Sequence, residues 1–154
     1  MAGIERVLIN HAIIGLDTSI FIYHLEANAR YLPVTKTLLN RIKSGRHHAI
    51  VSTVALMELT VHPWRLGKTE VAQNYESLLV HFPNLRLADV TREVARRAAQ
   101  LRANYGLHPA DALQTATALV NNASAFITND KRLARLNGLL KIIVLDDYIR
   151  PLKP

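Results

Sequence analysis

Four carboxylates stand where the chain changes its local pattern: Asp17, Glu58, Asp111 and Asp130. Asp17 ends the apolar run AIIGL, and Asp130 closes SAFITND. Glu58 interrupts STVALMEL just after HHAIV, and Asp111 opens the helix-like stretch HPADALQTATALV. Carboxylates brought together repel, and at least one would take up a proton unless a cation lay among them. Their oxygens are hard ligands that suit Mg2+ or Mn2+ rather than zinc. Such a cation can activate water and stabilise the leaving oxygen of a phosphodiester. Asp17, Asp111 and Asp130 each have a simpler use at a helix start, where a carboxylate contributes about 0.3–1 kcal/mol. Glu58 has no such use. Its apolar neighbours imply partial burial, and an unpartnered buried carboxylate is costly.

The elements that would position these groups alternate between strand and helix. AIIGL, HHAIVST, SAFIT and KIIVL read as strands, with LRLADV as a short edge strand. TSIFIYHLEANA reads as a helix capped by Thr18 or Ser19, and PVTKTLLNRIKSG as one that starts at Pro33 and stops at Gly45. VALMELTVH is a helix that Pro63 should terminate. TEVAQNYESLLVHF and TREVARRAAQLRANYG follow, the latter with Asp89 and Thr91 as rival caps. The stretch from Pro109 to Val120 is another helix, and DKRLARL a short one. Strands joined by helices imply right-handed crossovers and a mostly parallel sheet. The expected architecture is a three-layer α/β/α sandwich, one domain over residues 1–154. In such folds strand ends and helix starts converge on one edge, where sites lie.

Composition narrows the chemistry. With 154 residues, 49% of them hydrophobic, the chain can bury a real core. No apolar run approaches the ~18 residues of a membrane span, and no signal peptide is evident. The absence of cysteine excludes thiol nucleophiles and thiolate metal sites and fits a cytoplasmic location. Net charge is +7, from 19 bases and 12 acids. A basic body around an acidic cleft suits a polyanion whose chemistry needs metal, and net charge alone fits plain solubility equally well.

The strings LDTSIFIY, VALMEL, HPADALQTATAL and AFITNDKRL, in that order, resemble the four motifs of the PIN domain. The resemblance is best to VapC-like toxins of toxin–antitoxin pairs, and runs from about Ile13 to about Leu145. It implies a PIN-like fold and Mg2+- or Mn2+-dependent endoribonuclease activity. The acidic pocket it implies falls on Asp17, Glu58, Asp111 and Asp130. Asp17 and Asp111 would be direct ligands, Glu58 would bind metal or orient water, and Asp130 would act through water. Thr18, Ser19 and Thr128 would hydrogen-bond to the acids. The resemblance also implies a small antitoxin covering the acidic groove, and a homodimer. Residues 1–12 precede the motifs and carry no assigned role.

Other candidates rank lower. Lys131, Arg132 and Arg135 follow Asp130 and could contact substrate phosphate. Arg92, Arg96, Arg97 and Arg102 form a stripe that could track RNA or simply be solvated. His47 and His48 must point to opposite faces of a strand, and no zinc spacing occurs. Trp64 would by default pack against the core; exposed, it could stack on a base or join a dimer interface. A phosphohydrolase of the haloacid-dehalogenase type needs a second Asp two residues after the first, where Ser19 stands. The remaining alternatives are a silent PIN-like module that binds RNA or protein, and a housekeeping PIN nuclease without an antitoxin.

Overall fold

Four apolar runs and the mixed edge segment LRLA become five short strands of one sheet in the computed structural model, which describes residues 3–149. They are β1 (Ile13–Leu16), β2 (His48–Ser52), β3 (Leu85–Ala88), β4 (Ala125–Thr128) and β5 (Lys141–Val144). All pairings are parallel, in the order β3-β2-β1-β4-β5. A parallel sheet is covered on both faces, which is why its strands read as unbroken apolar runs. All four residues of β4, the inner strand beside β1, are buried.

Helices cover both faces, giving the expected three-layer α/β/α sandwich. They are α1 (Ile4–Leu8), α2 (Thr18–Leu25), α3 (Leu32–Lys43), α4 (Thr53–Arg65), α5 (Thr69–His81), α6 (Arg92–Tyr105) and α7 (Pro109–Val120). Alternation along the strands splits the core in two. Ile14, Leu16, Val51 and Ile127 pack with Ile20 and Phe21 of α2 and Leu38 and Ile42 of α3. Phe126, Ile142 and Val144 pack with Val94 and Leu101 of α6 and Ala112 and Ala116 of α7.

Gly15 lets α7 lie directly on the sheet. A Cβ there would stand 2.6 Å from the Ala118 Cβ and 2.7 Å from Phe126 Cδ2. That close approach brings the first turns of α7, with Asp111, to the end of β1.

The structure corrects several expectations. Pro63 does not end its helix, because α4 continues to Arg65. Close to the C-terminus a proline removes only one helical bond, and the chain turns away at Gly67, whose φ is +67°. The cap of α2 is Asp17, the helix-start use open to it, rather than Thr18 or Ser19. Thr91 wins over Asp89 at α6, its Oγ1 accepting from the Val94 amide at 3.2 Å. Trp64 does not pack into the core but is 52% exposed. Residues 4–8 of the unassigned N-terminal segment form α1, whose Ile4 and Leu8 are buried in the first core cluster. No helix among the described residues is long and apolar enough to cross a membrane.

Candidate active site

Strand order reverses between β1 and β4, since β2 and β3 lie to one side of β1 and β4 and β5 to the other. Open α/β sheets bind ligands outside the carboxyl ends of their strands at such a reversal. Asp17 follows β1 directly, and Asp130 lies two residues beyond β4. Glu58 comes from the middle of α4 and Asp111 from the first turn of α7.

Hydrogen bonds fix the geometry. Asp17 Oδ1 accepts from the Thr18 amide at 2.7 Å, and its Oδ2 from Thr128 Oγ1 at 2.6 Å. Thr128 Oγ1 in turn accepts from the Asp130 amide at 3.0 Å, linking the two strand ends. Thr18 Oγ1 lies 2.8 Å from Glu58 Oε1 and 3.3 Å from Gln114 Oε1. Its single proton goes to the nearer, charged acceptor. Gln114 Nε2 also donates to Glu58 Oε1. Ser19, expected beside the acids, forms no bond to them, and its Oγ is buried without a hydrogen-bond partner among the described residues.

The acids are not electrostatically alike. Burial pushes Asp17 up to about 6, against the bonds from Thr128 and Thr18 and with help from the charges of Asp111 and Glu58. Burial also raises Asp111, and the charges of Asp130 and Glu58 add to it. Asp130 goes the other way, held low first by its bond with Arg132. That guanidinium donates Nη2 to Asp130 Oδ2 at 2.7 Å and Nε to Oδ1 at 3.0 Å. Among the described residues Asp17, Glu58 and Asp111 have no ion-pair partner. Neither oxygen of Asp111, nor Glu58 Oε2, accepts a hydrogen bond there.

The basic residues after Asp130 divide. Lys131 is exposed, and Arg132 is engaged with Asp130. Arg135 is spent on structure, its guanidinium donating to the carbonyls of Arg132 and Tyr105. The arginines of α6 face solvent or carbonyls: Arg92 and Arg96 are exposed, and Arg102 Nε donates to Leu107 O.

Sequence reasoning missed Gln114 and a brace beside the site. Tyr23 and Tyr31 stack with centroids 4.1 Å apart. Asn129 Nδ2 donates to the Tyr23 hydroxyl, and Tyr31 donates to Asp146 Oδ1 at 2.7 Å. Asn129 Oδ1 accepts from the Asp146 amide, so the loops after β4 and β5 are tied together. Only the position of Asn129 beside Asp130 hinted at this.

Comparison with known proteins decides the family. The model of the PIN domain matches residues 14–139. The chain belongs to the PIN-domain family. Solved structures share the fold of this PIN domain at low identity. A toxin–antitoxin complex from Klebsiella pneumoniae matches at 20% identity and a TM-score of 0.64, over 86% of this chain and 97% of that one. VapBC2 from Rickettsia felis, bound to a promoter DNA fragment, matches at 20% and 0.64, over 86% and 98%. VapBC-5 from Mycobacterium tuberculosis matches at 22% and 0.54, over 86% and 97%. No curated protein matches the chain. The family match begins at residue 14, so α1 lies ahead of it.

PIN nucleases in general use divalent cations, and the donor set of this PIN domain fits one. It consists of hard carboxylate oxygens. Among the described residues three of them, on Asp111 and Glu58, accept no hydrogen bond, and those two acids form no ion pair. Among the described residues no three such side chains yet stand close enough to enclose an ion. Mutual repulsion of the carboxylates favours that wider spacing.

Proposed function

We propose that the chain is a single-domain, Mg2+- or Mn2+-dependent endoribonuclease, the toxin of a toxin–antitoxin pair. The observation that carries this reading is the convergence on the strand-order reversal of three carboxylates that form no ion pair among the described residues, in a body with net charge +7. Asp17 and Asp111 would hold the cation, with Glu58 as a further ligand or the group that orients water. Asp130 would act through water, restrained by Arg132. The cation, when bound, makes water a better nucleophile and offsets charge on the leaving oxygen. Water oxygen then adds to phosphorus in line with the P–O bond that breaks. Thr18 and Thr128 hold Glu58 and Asp17 in place throughout. Lys131 and Arg132 are the cations nearest the pocket in sequence and would meet the phosphate backbone.

The partner reading draws on similar structures that are toxin–antitoxin complexes, two of them with DNA. We infer an antitoxin that covers the acidic groove, a homodimer, and a cytoplasmic setting. Met57, Val61 and Trp64 support a partner surface. They lie four and three residues apart on α4 and are 59%, 45% and 52% exposed.

Calorimetry tests the metal assignment. Mn2+ should bind the wild type and bind Asp17→Asn or Asp111→Asn at least about tenfold more weakly. Equal affinity in all three proteins would remove the pocket from consideration. Uncut RNA bound equally well with and without Mn2+ would instead favour a binding module.

A further inference from the structure

We propose that Gln114 is a positioning residue for Glu58, locking one carboxylate oxygen so that the other stays free for cation or water. The proposal rests on the metal-nuclease reading and adds a residue to it. Gln114 lies on α7 three residues after Asp111, on the same side of the helix, and is only 3% exposed. A buried amide must have its hydrogen bonds made. Here both ends are satisfied by the acidic pocket. Nε2 donates to Glu58 Oε1, and Oε1 accepts from the Thr18 amide at 3.2 Å.

The orientation of the amide follows from its partners. Reversed, its oxygen would face a carboxylate and its NH2 would face an N–H. Thr18 Oγ1 adds a second donor to Glu58 Oε1, so that oxygen is held from α2 and α7 together. Glu58 Oε2 has no such bond among the described residues. The Thr18 amide is shared between Gln114 Oε1 and Asp17 Oδ1. Gln114 thus joins the carriers of Asp17, Glu58 and Asp111.

The neighbours of Gln114 on α7 show that packing alone does not require it. Ala112, Ala116 and Ala118 fill the core side of the helix, and Thr115 and Thr117 return their hydroxyls to helix carbonyls. Gln114 alone in this buried set reaches across to another element. An apolar residue of similar length, such as Met, would satisfy the core and abandon Glu58.

The test compares wild type, Gln114→Met, Gln114→Glu, Glu58→Gln and the Glu58→Gln/Gln114→Met double variant. Readouts are Mn2+ calorimetry, kcat and KM on a single-stranded RNA oligomer, and thermal unfolding in EDTA. Gln114→Met should weaken Mn2+ binding and lower kcat about 10–100-fold, the range for residues that orient ligands. Gln114→Glu should lose as much, because it sets a second carboxylate against Glu58. In the Glu58→Gln background Gln114→Met should add almost nothing. Wild-type affinity and kcat in both Gln114 variants, or losses that add fully to those of Glu58→Gln, would overturn the proposal. NMR of the Gln114 side-chain amide reads the contact without metal. Its resonances should shift on Glu58→Gln, and unchanged resonances would also overturn it. A wild type that neither binds Mn2+ nor cuts RNA, with that amide still coupled to Glu58, would overturn the nuclease reading instead.

Discussion

The two edges of the sheet treat buried polar groups in opposite ways. At the amino edge, each imidazole has a hydrogen-bond partner and nearby bases disfavour its charged form. His47 is 3% exposed, its Nδ1 donates to the His11 carbonyl at 2.8 Å, and Arg41 Nε donates to its Nε2 at 3.2 Å. These partners fix the neutral tautomer with the proton on Nδ1. The His11 ring meets Ser124 Oγ at 2.8 Å. Burial lowers both histidines, reinforced by Lys141 at His11 and by Arg41, Arg46 and His48 at His47. At the carboxyl edge the charges of Asp111 and Glu58 add to the burial that raises Asp17, and burial raises Asp111. One edge is arranged to hold the fold together. The other gathers like charge that a bound cation would relieve, as a binding site requires.

Substitutions should separate the edges. The largest effect belongs to Asp17→Asn and Asp111→Asn. Each should remove several kcal/mol of transition-state stabilisation, or about a thousandfold in RNA cleavage. Asp111→Asn should not lower the melting temperature in EDTA, because it removes repulsion and no hydrogen bond. Asp17→Asn should change it little, the lost Thr128 bond offsetting the relieved repulsion. A drop of the kind seen for core variants would mean that these acids are structural.

The pH dependence of metal-free stability should show the contrast next. Asp17 ionises near 3.8 unfolded and about 6 folded. Between those values the folded state keeps a proton that the unfolded state has lost, so stability falls as pH rises. The loss is about 3 kcal/mol once pH exceeds the folded value. The histidines act with the opposite sign. Their folded values lie below 6.5, so stability rises as pH climbs toward 6.5. Denaturant titrations of Asp17→Asn should lack the fall, and those of His47→Ala should show a weaker rise. Identical profiles in all three proteins would contradict both assignments.

Smaller effects should follow at the packing positions. His47→Ala leaves the His11 carbonyl and the Arg41 guanidinium short of a partner and should cost about 1–3 kcal/mol with kcat unchanged. Gly15→Ala forces a Cβ against Ala118 and Phe126 and should cost about 1–3 kcal/mol by overpacking. It should also lower cleavage, because α7 carries Asp111 and Gln114. A Gly15→Ala protein with wild-type melting and cleavage would show that the approach of α7 is not set at this point.

Much of the carboxyl edge was legible in the sequence, for physical reasons. A strand buried on both faces is an unbroken apolar run, so a carboxylate directly after it marks the edge. Glu58 stood out because nothing local could stabilise it. Gln114 was hidden because a polar residue on an amphipathic helix most simply faces water, and only the packing of α7 on Gly15 turns it inward. The pairing of Asp130 with Arg132 was equally hidden, since a basic residue two positions on points toward its acid only in the tight turn formed there. Pro63 was misread because its effect depends on distance from the helix end. The amino edge was nearly silent. His47 showed the alternation of a strand, but its two partners, Arg41 at the end of α3 and the His11 carbonyl before β1, meet it only in the folded chain.

Cleavage of a single-stranded RNA in Mg2+ by wild type, His47→Ala, Asp17→Asn and Asp111→Asn tests the central claim most directly. Wild type and His47→Ala should cut at equal rates, both aspartate variants should fail, and EDTA should stop all cutting. Cleavage by the aspartate variants at the wild-type rate, or undiminished cleavage in EDTA, would contradict the assignment of the carboxyl edge as a metal-dependent active site.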